Sequence, residues 1–193
     1  MKTIFFDIDS QLDFLYPAGA LYVPGAEHVV PAIARLNRYA AAHGISVIST
    51  TDAHAENDAE FQSWPPHCVT GTLGQHKAEA TQLEKRVVVP NRPCPLALDG
   101  AQQIVVEKQN VDAFTVPNLA LILEHLAADR FVVYGVVTEI CVLFAARGLL
   151  KYGKPVTIVT DAVRALTAEA SERALAEIRA SGGTLALASE IAP

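Results

Sequence analysis

Short apolar runs of four to seven residues recur along this chain, separated by longer segments in which apolar positions return every three or four residues. The first pattern suits a strand buried on both faces and the second an amphipathic helix, so their alternation predicts βαβ units and a parallel sheet. Strands are expected over Thr3 to Ile8, Ile45 to Thr51, Ile104 to Val106, Phe131 to Tyr134, Pro155 to Thr160 and Thr184 to Ala188. Helices are expected over Glu27 to Ala42, Leu119 to Ala127, Thr138 to Tyr152 and Ala168 to Ser181, with Gly44, Gly153 and Gly182 as C-terminal stops. The fold class is therefore α/β, a doubly wound six-stranded parallel sheet flanked by helices. Between Asp52 and Ile104 the periodicity fades, and Pro65, Pro66, Pro90, Pro93 and Pro95 interrupt whatever begins there. A long excursion in a compact fold is usually functional, so residues 52–103 are expected to carry a substrate or metal pocket.

Composition narrows the class of function. A chain of 193 residues, 51% of them hydrophobic, is able to bury one full core, and a single domain over 1–193 is expected. The net charge of −6 is spread without a basic stripe, which argues against a nucleic-acid partner and favours small-molecule chemistry. Cys68, Cys94 and Cys141 form an odd set with no disulfide framework, and the chain enters a strand directly at its start; a reduced, cytoplasmic protein is expected. No apolar run approaches the roughly twenty residues that span a bilayer, so no membrane partner is expected. The amphipathic helices leave candidate surfaces for a homo-oligomer.

Four chemically able side chains fall at the carboxyl ends of strand-like runs, where open α/β sheets bind ligands. Asp9 closes Thr3-Ile4-Phe5-Phe6-Asp7-Ile8, Asp52 follows Ile45 to Thr51, Lys108 follows Ile104-Val105-Val106-Glu107, and Cys141 follows Tyr134-Gly135-Val136-Val137-Thr138-Glu139-Ile140. If the strands are parallel, all four meet at one rim. A carboxylate, an ammonium and a thiol there are the parts of a nucleophilic catalyst, and a helix N-terminus at Cys141 inclines the thiol towards thiolate. Singly, each has an ordinary reading: a turn cap for Asp9, a helix cap for Asp52, a solvated charge for Lys108, and a small buried hydrophobe for Cys141.

A second group suggests a metal. Asp52-Ala53-His54 offers two ligands one residue apart, Trp64-Pro65-Pro66-His67-Cys68 adds a histidine behind a stiff lead, and Glu60 lies between. Zinc and similar borderline ions accept imidazole and carboxylate together. The plainer alternative is two loop histidines and a capping aspartate. Cys68 is a rival ligand, but adjacent residues in an extended segment point in opposite directions, and His67 is the better mate for Asp52 and His54.

Asp9-Ser10-Gln11-Leu12-Asp13-Phe14, Asp52-Ala53-His54, Ser63-Trp64-Pro65-Pro66-His67-Cys68-Val69-Thr70-Gly71-Thr72, Glu107-Lys108 with Asp112-Ala113-Phe114, Gly135 to Val142 and Thr160-Asp161-Ala162-Val163 together resemble the nicotinamidase (pyrazinamidase) branch of the isochorismatase-like cysteine hydrolases. The resemblance covers nearly the whole chain. It implies a triad of Asp9, Lys108 and Cys141, the same residues that the strand ends single out. It further implies that Asp52, His54 and His67 hold a divalent metal, most often zinc, with iron or manganese as alternatives. Glu60 aligns with a fourth ligand that is histidine in many relatives. Implied, too, are a cis peptide between Val136 and Val137, an oxyanion hole from the backbone of Val137 and Cys141, and hydrolysis of nicotinamide or of another small amide or carbamoyl compound. Isochorismate-type ether hydrolysis fits less well, because members with that chemistry do not use the thiol. Ile140 stands where many nicotinamidases carry an aromatic residue or histidine, and the segment from Lys108 to Phe114 is short; both bear on pocket shape. Phe14 and Trp64 are candidate substrate walls or closers of the core, and Asp161 is expected to tie down a turn.

Overall fold

The computed structural model describes residues 1–193. Seven parallel strands form one sheet: β1 (Thr3–Ile8), β2 (Val47–Asp52), β3 (Arg86–Val89), β4 (Gln103–Lys108), β5 (Arg130–Val136), β6 (Val156–Arg164) and β7 (Thr184–Ala186), in the order β3-β4-β2-β1-β5-β6-β7. The expected six-stranded sheet thus gains an edge strand. β3 is only four residues long, lies inside the proline-broken excursion and pairs Arg86 through Val89 with Gln103 through Val106. Three consecutive valines favour the pleat, but the run is too short for a period-2 signal and Pro90 ends it at once.

The chain builds outward from β1 through β2 to β4, then reverses and adds β5, β6 and β7 on the other side of β1. That reversal is the topological switch point at which α/β sheets open a crevice. The main helices are α1 (Leu12–Leu15), α2 (Val30–Ala42), α3 (Leu119–Leu126), α4 (Leu143–Lys151), α5 (Ala168–Ala180) and α6 (Ala188–Ile191). α2 packs with α6, and α4 with α5; right-handed crossovers put the α2 connection and those of α3 to α5 on opposite faces. The predicted stops hold, since Gly44, Gly153 and Gly182 all take positive φ. The helix expected from Thr138 instead opens with a π-helical turn, Thr138–Val142, before α4.

The excursion is ordered and fastened to the sheet. Gln11 pairs with Lys77 and His54 with Val69 through isolated bridges, and the buried Asp13 carboxylate accepts from the amides of Ala20 at 2.8 Å and Cys68 at 2.7 Å. Beneath it lies a closed polar network. Asp7 on β1 pairs with Lys77 at 2.7 Å and accepts from Ser10 and Asn37, each at 2.8 Å, while Tyr134 donates to Asn37 at 2.5 Å. Asp161 accepts from the Ala188 amide at 2.7 Å, the expected tie, here to the start of α6. No helix is long and apolar enough to cross a membrane.

Because both Asp7 and Lys77 are buried, removing either strands the other charge away from water. Lys77→Met is expected to cost about 3 to 5 kcal/mol in denaturant unfolding, whereas an exposed surface pair would cost well under about 1 kcal/mol.

Candidate active site and metal centre

Sheet register gathers the site. Asp52 and Lys108 are direct partners at the ends of β2 and β4, and Ile8, the residue before Asp9, is opposite both Thr50 and Gly135. Gly135 has φ of +117°, and a Cβ there would stand 2.1 Å from the Ile8 carbonyl oxygen, so only glycine lets β5 come this close to β1. The Val136–Val137 peptide that follows is cis.

Asp9 turns out of β1 in the left-handed region, φ +47°, a conformation that aspartate tolerates and that clusters at functional sites. Its Oδ1 accepts from Thr50 Oγ1 at 2.6 Å and its Oδ2 lies 3.0 Å from Lys108 Nζ. The Lys108 ammonium also contacts Asp52 Oδ1 and sits 3.9 Å from Cys141 Sγ. Asp9, Lys108 and Cys141, far apart in sequence, therefore share one buried cluster. Gln11 braces it by donating to the carbonyls of Asp52 at 2.8 Å and Gln75 at 2.7 Å while accepting from the Asp52 amide at 2.7 Å.

The balance of charges decides the protonation states. Burial works to strip Lys108 of its proton, but Asp52 and Asp9 outweigh it and hold its pKa well above the ordinary lysine value. Burial also opposes ionisation of Asp52; Lys108, with the nearby imidazoles of His54 and His67, prevails, and its carboxyl is held well below the usual range. Asp9 goes the other way: burial, aided by Asp52, raises its pKa against the pull of Lys108. Burial likewise pushes the Cys141 thiol well above 9.0, with Lys108 opposing and Asp9 and Asp52 adding to the rise. Burial and the two carboxylates thus oppose the thiolate that the helix N-terminus is expected to favour. Cys141 occupies the fourth place of a π-turn, where two carboxylates disfavour a further anion and one ammonium favours it.

The metal residues lie beside this cluster. One ligand atom each from Asp52, His54 and His67 falls within 4.8 Å of the others, all three residues being buried. His67 Nδ1 lies 2.8 Å from the Pro65 carbonyl, so its Nε2 lone pair faces Asp52 Oδ2, 3.7 Å away. His54 is wholly buried, yet neither ring nitrogen has a hydrogen-bond partner. An unpaired ring nitrogen on a buried histidine, together with a second imidazole and a carboxylate, fits a divalent ion. Glu60 lines the neighbouring cleft from the 3-10 turn Ala59–Gln62 but is not among the three converging ligands. Cys68 is turned away, its Sγ 3.8 Å from the Gly74 carbonyl.

An open cleft lined largely by apolar side chains lies beside both groups. Phe14 and Trp64 do line it, as do Asp52, His67, Val137, Ile140 and Cys141. Sequence reasoning missed Leu21, Val23, Val111 and Leu166, which complete its largely apolar wall. Leu166 arrives on the β6–α5 loop, where its amide donates to Glu139 of the π-helical turn at 3.0 Å. Asp58, also missed, places Oδ2 3.1 Å from His54 Nδ1.

An isochorismatase domain model matches residues 3–190. The chain belongs to the isochorismatase family. Nicotinamidase from Escherichia coli (strain K12) is 27% identical over 206 residues, covering 92% of this chain and 91% of the relative. N-carbamoylsarcosine amidase from Arthrobacter is 29% identical over 140 residues, covering 70% of this chain and 49% of that protein. Among solved structures, the zinc complex of Pyrococcus horikoshii pyrazinamidase superposes with a TM-score of 0.83 at 28% identity, covering 97% of this chain and 99% of its own.

The raised thiol pKa has a direct readout in the metal-free protein. With its proton retained through neutrality, Cys141 is expected to alkylate more slowly than the partly exposed Cys94 at neutral pH, its rate climbing only as pH passes the ordinary thiol range near about 8.5. Peptide mass spectrometry after iodoacetamide treatment across a pH series checks this, and Cys141 reacting ahead of Cys94 at neutrality would show a resting thiolate.

Proposed function

We propose that this chain is a metal-dependent cysteine amidohydrolase that converts nicotinamide to nicotinate and ammonia through a thioester on Cys141. The observation that carries the reading is the convergence of Asp9, Lys108 and Cys141 beside Asp52, His54 and His67 at one apolar cleft. The relatives named nicotinamidase and pyrazinamidase, which match nearly the full chain, support it.

In this mechanism the thiol gives its proton to Asp9, whose raised pKa makes it a willing acceptor, as sulfur attacks the carboxamide carbon. Lys108 keeps its ammonium charge throughout and offsets the negative charge that forms on sulfur. The backbone amides of Val137 and Cys141 receive the tetrahedral oxyanion, a contact whose single donors are worth about 3 kcal/mol in other hydrolases. Asp9 then returns its proton to the departing ammonia, and the freed carboxylate activates the water that cleaves the thioester to nicotinate. Phe14 and Trp64 flank the ring, and the apolar wall from Leu21, Val23 and Leu166 keeps bulk water from the sulfur. Asp52, His54 and His67 would hold zinc, with iron or manganese as alternatives, and the bound ion would supply a Lewis-acid contact that orients the ring nitrogen of the substrate. Glu60, at the cleft, is placed to adjust that site's charge.

The likeness to N-carbamoylsarcosine amidase favours a second reading, a related amidase acting on another small amide or carbamoyl compound. An ammonia-release assay over nicotinamide, pyrazinamide, acyclic amides and carbamoyl amino acids separates the two. Nicotinamide is expected to be turned over fastest, and a faster carbamoyl substrate would transfer the assignment. Chelation is expected to abolish turnover and added zinc to restore it. Cys141→Ala is expected to lower turnover by about 10⁴-fold or more, with thermal stability and metal content retained; an active alanine variant would rule out covalent catalysis at this sulfur.

A further inference from the structure

His67 and His54 solve the same problem with different partners. A histidine that binds a metal must keep one ring nitrogen free of its proton, and the group bonded to the other nitrogen decides which one. For His67 that group is the Pro65 carbonyl, 2.8 Å from Nδ1; a carbonyl only accepts, so Nδ1 carries the proton and Nε2 faces Asp52. For His54 the group near Nδ1 is a carboxylate: Asp58 Oδ2 lies 3.1 Å away as a close polar contact outside hydrogen-bond geometry, and His54 Nε2 lies 3.9 Å from Asp52 Oδ2. The His54 ring is wholly buried and the Asp58 side chain 13% exposed, so water screens the contact little. The other oxygen, Asp58 Oδ1, accepts from the Glu60 amide at 3.0 Å and starts the turn that carries Phe61, whose ring packs 5.2 Å from His54 and 5.8 Å from His67. One carboxylate thus reaches the histidine and the turn that presses on it.

We propose that Asp58 is a positioning residue for the metal: its carboxylate fixes His54 as the Nδ1–H tautomer and aims the Nε2 lone pair at the space shared with Asp52 and His67. This rests on the metal-site part of the proposed function. A neutral carbonyl behind His67 and an anion behind His54 make the two ligands unequal, so the loss of Asp58 weakens metal binding even where all three ligands remain.

The test replaces Asp58 while sparing its capping role. Serine caps helical turns well but is too short to bridge to His54. Zinc affinity is measured by competition with a chromophoric chelator for the wild type, Asp58→Ser and Asp112→Ser, the last removing an acidic cap from the same flank without touching a ligand. Asp58→Ser is expected to bind zinc about 10- to 100-fold more weakly, and Asp112→Ser within about 2-fold of wild type. Long-range proton–nitrogen NMR correlations on the metal-free proteins are expected to show His54 as a single Nδ1–H tautomer in the wild type and a mixture in Asp58→Ser. Unchanged zinc affinity in Asp58→Ser, an equal loss in Asp112→Ser, or a wild-type His54 protonated on Nε2 would overturn the role of Asp58. A wild type that takes up no zinc would instead remove the metal site itself.

Discussion

The ammonium of Lys108, buried between the carboxylates of Asp9 and Asp52 and 3.9 Å from the Cys141 sulfur, is the interaction on which the site depends. Burying three charges is costly unless geometry and further hydrogen bonds compensate. Here Thr50 satisfies one oxygen of Asp9, and Gln11 clamps the Asp52 peptide from both sides. The parallel register of β2 and β4 sets Lys108 against Asp52 with no loop intervening, so the central pair inherits the rigidity of the sheet.

From that cation the site divides into two halves. Asp9 and Cys141 lie on one side, the proposed proton acceptor and nucleophile; Asp52, with His54 and His67, lies on the other as the proposed ligand set. The two carboxylates have the same chemistry and opposite fates. Asp52, with Lys108 and two imidazoles around it, stays ionised, while burial leaves Asp9 with a raised pKa suited to passing a proton back and forth. Lys108 couples the halves, because any change in charge at Asp52 is felt at the sulfur.

Much of this was legible in the amino-acid sequence, for identifiable reasons. Asp9, Asp52, Lys108 and Cys141 each end or follow an apolar run, and in a parallel sheet strand ends share an edge, so their meeting follows from pattern alone. The resemblance to a known family pointed to the same residues. What escaped depended on contacts that no local pattern encodes. β3 hid because four residues between turns and prolines show no alternation. Leu166 reaches the cleft from the β6–α5 loop, and Asp58 matters only through where its turn points in space. The thiolate expectation weighed the helix terminus, and no local pattern showed the burial and the two carboxylates that oppose it.

The most direct test of the central claim is acid quenching of nicotinamide turnover followed by mass spectrometry of the Cys141 peptide, for the wild type and Lys108→Met. The account predicts a nicotinoyl adduct on Cys141 in the wild type and its loss in the variant. Nicotinate formed with no acyl group on any cysteine, or full acylation without Lys108, would contradict it.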